Sequence, residues 1–144
     1  MARKPRDWDI VTDAPLGEIR SAFPDHLEVG AAFGIIKLPP RENEQIDIAI
    51  FRKEEGYSDQ RHPDKVEPGD MKTDVTRRDF TSNALYLDLQ TFEIIDSVGG
   101  LRDIQSKVLR TVGSPIKRFT EDALRILRAA RFSAQLGFKI ERDT

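Results

Sequence analysis

The run Gln45-Ile46-Asp47-Ile48-Ala49-Ile50-Phe51 constrains this chain more than any other. Ile46, Ile48 and Ile50 alternate with Asp47, Ala49 and Phe51, so a strand here has one apolar face and one mixed face. An apolar strand face must be covered by another layer. The acid at Asp47 is out of place in so apolar a run: it either sits on a wet face or is kept for chemistry. A second strand is expected from Asp7 to Thr12, and a short helix from Pro15 to Ala22 with Asp13 or Thr12 as its cap. Two short apolar runs follow, Leu27 to Val29 and Gly34 to Leu38, the latter ended by Pro39-Pro40.

Lys53 to Lys72, with Gly56, Pro63, Pro68 and Gly69, reads as a polar loop. Asp74 to Leu85 reads as a helix, then Leu85–Leu89 and Phe92–Ile95 as strands around a turn at Gln90-Thr91. Gly99-Gly100 opens a short helix through Ser106, and Val108–Val112 is extended. From Pro115 to Leu136 the pattern is helical, with Gly137 as C-cap. A boundary near Gly113-Ser114-Pro115 separates a mixed part, 1–112, from a helical part, 113–144.

Composition narrows the chemistry. The 144 residues include no cysteine and only His26 and His62, which removes disulfides, thiolate sites and histidine-rich metal sites. A metal here would be held by carboxylates, which favours a hard cation such as Mg²⁺. The net charge of −2 argues against a coat for nonspecific nucleic-acid binding. There is no run of 18 apolar residues, and no apolar stretch follows the basic start Met1 to Arg6, so neither a transmembrane helix nor a signal peptide is expected.

Asp7 and Asp9 are i and i+2 on a strand and share a face. Their mutual repulsion is relieved by a divalent cation between them, although such triplets also occur at solvated turns. Asp47 is a candidate third carboxylate, either on a plainly wet face or facing that pair. Three acids around two Mg²⁺ ions about 4 Å apart suit nucleotidyl transfer. Arg77-Arg78-Asp79 is surface charge or a clamp for triphosphate oxygens, with Ser82 and Asn83 as further hydrogen-bond partners. On the last helix, spacing puts Arg118, Asp122 and Arg125 on one face, with Glu121, Arg128 and Arg131 nearby. They form a salt-bridge stripe or a base reader. Cytosine and adenine both present an amine beside a ring-nitrogen acceptor. An aspartate with an arginine would accept either and refuse uracil and guanine.

These pieces resemble the class II tRNA nucleotidyltransferases (CCA-adding enzymes) and the related bacterial poly(A) polymerases. In family order they are Asp7 to Ala14, Val29 to Gly34, Asp47 to Arg52, Tyr57 to Pro63, Arg77 to Leu85, Asp96 to Asp103 and Arg118 to Arg125. The resemblance implies an α+β nucleotidyltransferase head with a small mixed, mostly antiparallel sheet packed on helices, followed by the start of a helical neck. It implies that Asp7 and Asp9 are the catalytic metal ligands, and that Asp47 is the third acid, where the family commonly has Glu. Arg77, Arg78, Asp79 and Asn83 fall on the part that contacts the sugar and triphosphate. Glu121, Asp122 and Arg125 fall on the base-reading part, with Arg128 organising the pocket. Asp59 to Glu67 corresponds to a mobile loop linked to the switch from C to A addition.

The implied activity is Mg²⁺-dependent, template-independent addition of C and A from CTP and ATP to the tRNA 3′ end, in the cytoplasm. A poly(A) polymerase using ATP only, or an inactive nucleotide-binding fragment, are the alternatives. The family's Gly-Gly and Arg-Asp segment, which precedes the Asp-X-Asp strand, is not found before Asp7. Truncation is therefore expected at the N-terminus, and at Thr144 within the neck.

Overall fold

A computed structural model describes residues 5, 7–28, 34–40 and 44–144. It contains β1 (Asp7–Thr12), α1 (Leu16–Ala22), β2 (Ile35–Lys37), β3 (Gln45–Ile50), β4 (Arg52–Glu55) and β5 (Lys65–Pro68). These are followed by α2 (Met71–Arg77), a 3₁₀ turn (Thr81–Asn83), β6 (Tyr86–Leu87), β7 (Ile94–Ile95) and α3 (Gly100–Ser106). Then come β8 (Val108–Leu109), α4 (Pro115–Glu121), α5 (Leu124–Leu136) and β9 (Lys139–Ile140). The fold is α+β, as the sequence implies. No helix among the described residues is long and apolar enough to cross a membrane.

The chain divides into two compact units: Met1–Lys53 with Val66–Met71, and Glu54–Lys65 with Lys72–Thr144. In the first unit, β1 runs parallel to β3 and β2 antiparallel to it, in the order β1-β3-β2. The isoleucine alternation does what its period requires. Ile36 and Ile48 are buried with Ile19 of α1, and Ile10, Ile46, Ile50, Leu16 and Leu38 pack around them. The piece Val29 to Phe33 lies outside the described residues, and Leu27 makes an isolated antiparallel bridge to Lys37. Neither expected cap holds α1: Thr12 Oγ1 accepts from Ala14 N at 3.1 Å, one step before the helix.

In the second unit, Phe80, Leu109 and Ala129 form the core, flanked by Phe119, Phe132 and Phe138. β6 pairs with β7 antiparallel and β8 with β9 parallel.

Four sequence expectations are corrected. Lys53 to Lys72 is not all loop: β4 and β5 pair within it. In β4, half-buried Arg52 and Glu54 alternate with exposed Lys53 and Glu55. The two-residue period is present, but charged side chains carry it, so no hydrophobic alternation betrays it. The turn between the strands is closed by carboxylates. Asp59 Oδ1 accepts from the amides of Arg61 and His62, and Asp64 from Ser58 N and Oγ.

The helix expected over Asp74–Leu85 instead runs from Met71 to Arg77. Phe80 is extended and bridges Thr111, Thr81 N donates to Arg110 O, and Val112 N donates to Asp79 O. Pairing with the 110–112 segment outweighs local helix propensity there.

The helix expected over Pro115–Leu136 is broken. Asp122 adopts φ −146°, ψ 104°, and its Oδ1 accepts from Leu124 N at 2.9 Å as α5 begins. Aspartate is a preferred residue at helix starts for this reason. Arg118 and Asp122 therefore do not share one continuous helical face. The strands expected at Leu85–Leu89 and Phe92–Ile95 shrink to two residues each, because Asp88 Oδ1 captures the amides of Gln90 and Thr91.

Candidate functional site

In the first unit, the strand register decides where the acids lie. Asp9 is opposite Asp47, Asp47 is opposite Lys37, and Asp7 is opposite Gln45. Residues opposite one another in a sheet point to the same side, as do i and i+2 on a strand. Asp7, Asp9 and Asp47 therefore share the face away from the isoleucine core, in a row with Lys37. Asp7 and Asp9 are exposed, and no ion pair engages either among the described residues. Asp47 is half-buried: Lys37 Nζ pairs with its Oδ2, and Gln45 Nε2 donates to its Oδ1 at 3.0 Å. Sequence reading missed Lys37, although its place one residue after core-facing Ile36 puts it on the acid face. Among the described residues no three acids or histidines are close enough together to hold an ion. The donor chemistry at Asp7 and Asp9 suits a hard divalent cation. Asp47 is answered by a lysine instead.

The second unit gathers the arginines around buried carboxylates. Asp74, on α2, is fully buried. Its Oδ1 accepts from Arg77 Nε and Nη2 at 2.9 and 2.7 Å. Its Oδ2 accepts from Arg78 Nε and Nη2 at 3.2 and 3.1 Å, and from Tyr86 OH at 2.7 Å. Burial works against this charge, yet Arg77, Tyr86 and Arg78 together hold the Asp74 carboxyl below its usual range. Burial, and then donation to Asp74, push the Tyr86 phenol up to about 12. Arg78 also donates to Asn83 O at 3.2 Å and lies 4.8 Å over the Tyr86 ring. Both arginines thus spend much of their donor capacity on holding the fold. Sequence reading missed Asp74, although it stands three residues before Arg77 on α2 and four before Arg78, just past the helix end.

Glu54 Oε1 accepts from Arg77 Nη1 at 3.3 Å, and its Oε2 accepts from Tyr57 OH at 2.7 Å. Burial and this bond raise the Tyr57 phenol. Glu121 lies between two buried arginines, accepting from Arg118 Nη2 at 2.7 Å and Arg125 Nη1 at 2.9 Å. Arg118 Nη1 also donates to Thr76 O, and Arg125 Nη2 to Arg77 O. Asp122 Oδ2 is 3.9 Å from Arg125 Nε, and Ala123 N donates to Gln60 O at 3.1 Å. Asp79 is nearly buried: its Oδ1 accepts from Phe80 N, and its Oδ2 from Arg128 Nε at 2.7 Å. The structure thus brings Arg77, Arg78, Asn83 and Asp74 into one network, Glu121, Asp122 and Arg125 into a second, and Asp79 with Arg128 into an ion pair.

The α+β fold, with acids on one strand face and an arginine-rich helical unit, is of the nucleotidyltransferase head type. The family model for the poly(A) polymerase head domain matches residues 1–110, and the chain belongs to that family. It is 44% identical to the CCA-adding enzyme of Staphylococcus epidermidis over 145 aligned positions, covering 100% of this chain and 36% of the relative. It is 45% identical to that of Enterococcus faecalis, covering 96% of this chain and 34% of the relative. The crystal structure of the Bacillus stearothermophilus CCA-adding enzyme in complex with CTP superposes with a TM-score of 0.81 at 34% identity, over 94% of this chain and 32% of the other. A tRNA nucleotidyltransferase complexed with a primer tRNA and an incoming ATP analogue gives 0.75 at 32% identity, over 99% of this chain and 40% of the other. The chain spans about a third of the length of the curated relatives it matches.

Proposed function

We propose that this chain carries the catalytic head of a template-independent RNA nucleotidyltransferase that adds C and A to the 3′ end of tRNA and releases pyrophosphate. On this reading 1–112 is the head and 113–144 opens a helical neck. The placement of Asp9 opposite Asp47, on the face Asp7 shares, carries the proposal. It puts three carboxylates on one face of the sheet in a chain whose relatives are CCA-adding enzymes.

Asp7 and Asp9 would hold Mg²⁺, with Asp47 joining when Lys37 gives way. When bound, the metal lowers the pKa of the RNA 3′-hydroxyl and stabilises charge on the phosphates. The chain's own residues do the rest. Arg77, Arg78 and Arg128, set by Asp74 and Asp79, face the sugar and triphosphate, with Asn83 beside them. Asp122 offers an acceptor next to the Arg125 Nε donor, 3.9 Å apart. An amine beside a ring nitrogen, as in cytosine or adenine, satisfies both groups. Uracil and guanine would leave both unpaired. Glu121 fixes Arg125 in place from behind.

The test is incorporation of labelled CTP and ATP into tRNA ending before CCA. Asp9→Ala is expected to abolish it; full activity in that variant would refute the metal assignment. Addition from ATP alone would turn the reading to a poly(A) polymerase. A cytoplasmic site of action fits a tRNA-processing role.

A further inference from the structure

The arginines of the second unit differ in how much of their bonding capacity is spent. Arg77, Arg78, Arg118 and Arg125 give most of their donors to Asp74, Glu54, Glu121 and backbone carbonyls. Arg128 is charge-balanced by Asp79. Arg131 is different. It is exposed and has no hydrogen bond or ion pair among the described residues. It is not loose, however. Its guanidinium lies 4.8 Å over the Phe132 ring, and Phe132 meets core residue Phe80 edge-on at 5.9 Å. Arg128 lies 5.1 Å over the same Phe132 ring, and three residues apart on α5 the two arginines share a helical face. One side of the helix therefore carries two seated guanidiniums and one compensating carboxylate. A seated cation loses less conformational freedom on binding an anion than a free one, and no acid has to be displaced from it first.

We infer that Arg131 is a further phosphate-contacting residue of this chain, acting beside the Asp79–Arg128 pair. The inference rests on the nucleotidyltransferase reading above. Two sources of phosphate share the chemistry: the triphosphate of the incoming nucleotide and the backbone of the RNA primer.

The experiment titrates CTP, CMP and a short single-stranded RNA, each across a salt series with Mg²⁺, against the 144-residue chain and its Arg131→Ala and Arg131→Lys variants. The site is exposed, so both variants are expected to keep the parent circular dichroism. Losing one charge-assisted contact weakens the affected ligand about tenfold. Lysine, which keeps the charge but not the fork of donors, restores part of that loss. If CTP weakens and CMP does not, the phosphate is the nucleotide's. If RNA weakens, with its log–log salt slope reduced by about 0.7, the phosphate is the primer's. If the parent chain binds these ligands and Arg131→Ala binds them equally well, Arg131 has no such role, while the functional reading stands. If the parent chain binds none of them, the functional reading fails and takes this inference with it.

Discussion

Replacing Asp74 with alanine should unsettle the second unit more than any surface charge change. Asp74 is fully buried and accepts from Arg77, Arg78 and Tyr86, the closest contacts being 2.7 Å. Breaking a buried ion pair by removing one partner costs about 3–5 kcal/mol, because the remaining charge is left uncompensated. Here the stranded partners can partly rehydrate, since the Arg77 and Arg78 side chains keep 20% and 27% of their exposure. That moves the expected loss to the lower end, about 3 kcal/mol. An exposed ion pair would give under about 1 kcal/mol, so the two cases are well separated. With a urea m-value of about 2 kcal/mol/M, the midpoint falls by about 1.5 M. Asp74→Asn keeps the shape but turns an amide toward two guanidiniums, and should lose nearly as much. The sign of the pH dependence follows from the depressed carboxyl. Its contribution is complete above the ordinary aspartate range and is lost as pH falls through the lower folded value. The assay is urea denaturation followed by circular dichroism at neutral and acid pH. A loss below about 1 kcal/mol at neutral pH, or an unchanged acid limb in Asp74→Asn, would refute the claim that this carboxylate organises the arginines.

Three further outcomes follow from the same geometry. Gly100→Ala places a Cβ 2.2 Å from the Thr81 carbonyl oxygen, so it should lower the melting temperature despite alanine's better helix propensity; a gain in melting temperature would refute the close approach. Asp59 is held at about 2, first by the His62 amide and then by its imidazole. The Arg61 and His62 amides should therefore stay protected from hydrogen exchange at pH 4 and lose protection as pH falls through about 2, whereas loss at pH 4 would contradict the turn. Ser82 Oγ is buried with no hydrogen-bond partner among the described residues, so Ser82→Ala should be neutral or stabilising by up to about 1 kcal/mol in urea denaturation; a loss above 1 kcal/mol would reveal a bond to that hydroxyl.

What could be read in advance was whatever rested on apolar period and on short local motifs. The Ile46, Ile48, Ile50 alternation fixed β3 and its buried face, and Asp7–Thr12 was found to the residue. Once both strands were placed, parallel register alone put Asp9 beside Asp47. Long-range and charged features were hidden. The β4–β5 ribbon has charged residues where a strand usually shows apolar ones. The break at Asp122 depends on a single carboxylate capping Leu124, with Gln60 O taking the Ala123 amide. Phe80 left its helix because a partner at Thr111 lies far along the chain. The salt-bridge stripe around Glu121 is legible from helical spacing, whereas the acids that answer Arg77 and Arg78 are not singled out by any local motif. Asp74, bonded to both arginines, and Glu54, bonded to Arg77, show that Arg77 and Arg78 help to build the fold. Lys37 likewise answers Asp47 from a neighbouring strand, a pairing that only register reveals.

On the function proposed above, Asp122 and Arg125 read a base edge. Titrating CTP and UTP against this chain with Mg²⁺ tests it most directly, because the two nucleotides share sugar and triphosphate and differ only at that edge. CTP should bind at least about tenfold more tightly, as expected when a mismatched edge leaves buried polar groups unpaired. The preference should vanish in Asp122→Ala while triphosphate binding remains. Equal affinity for CTP and UTP in the parent chain would contradict the account.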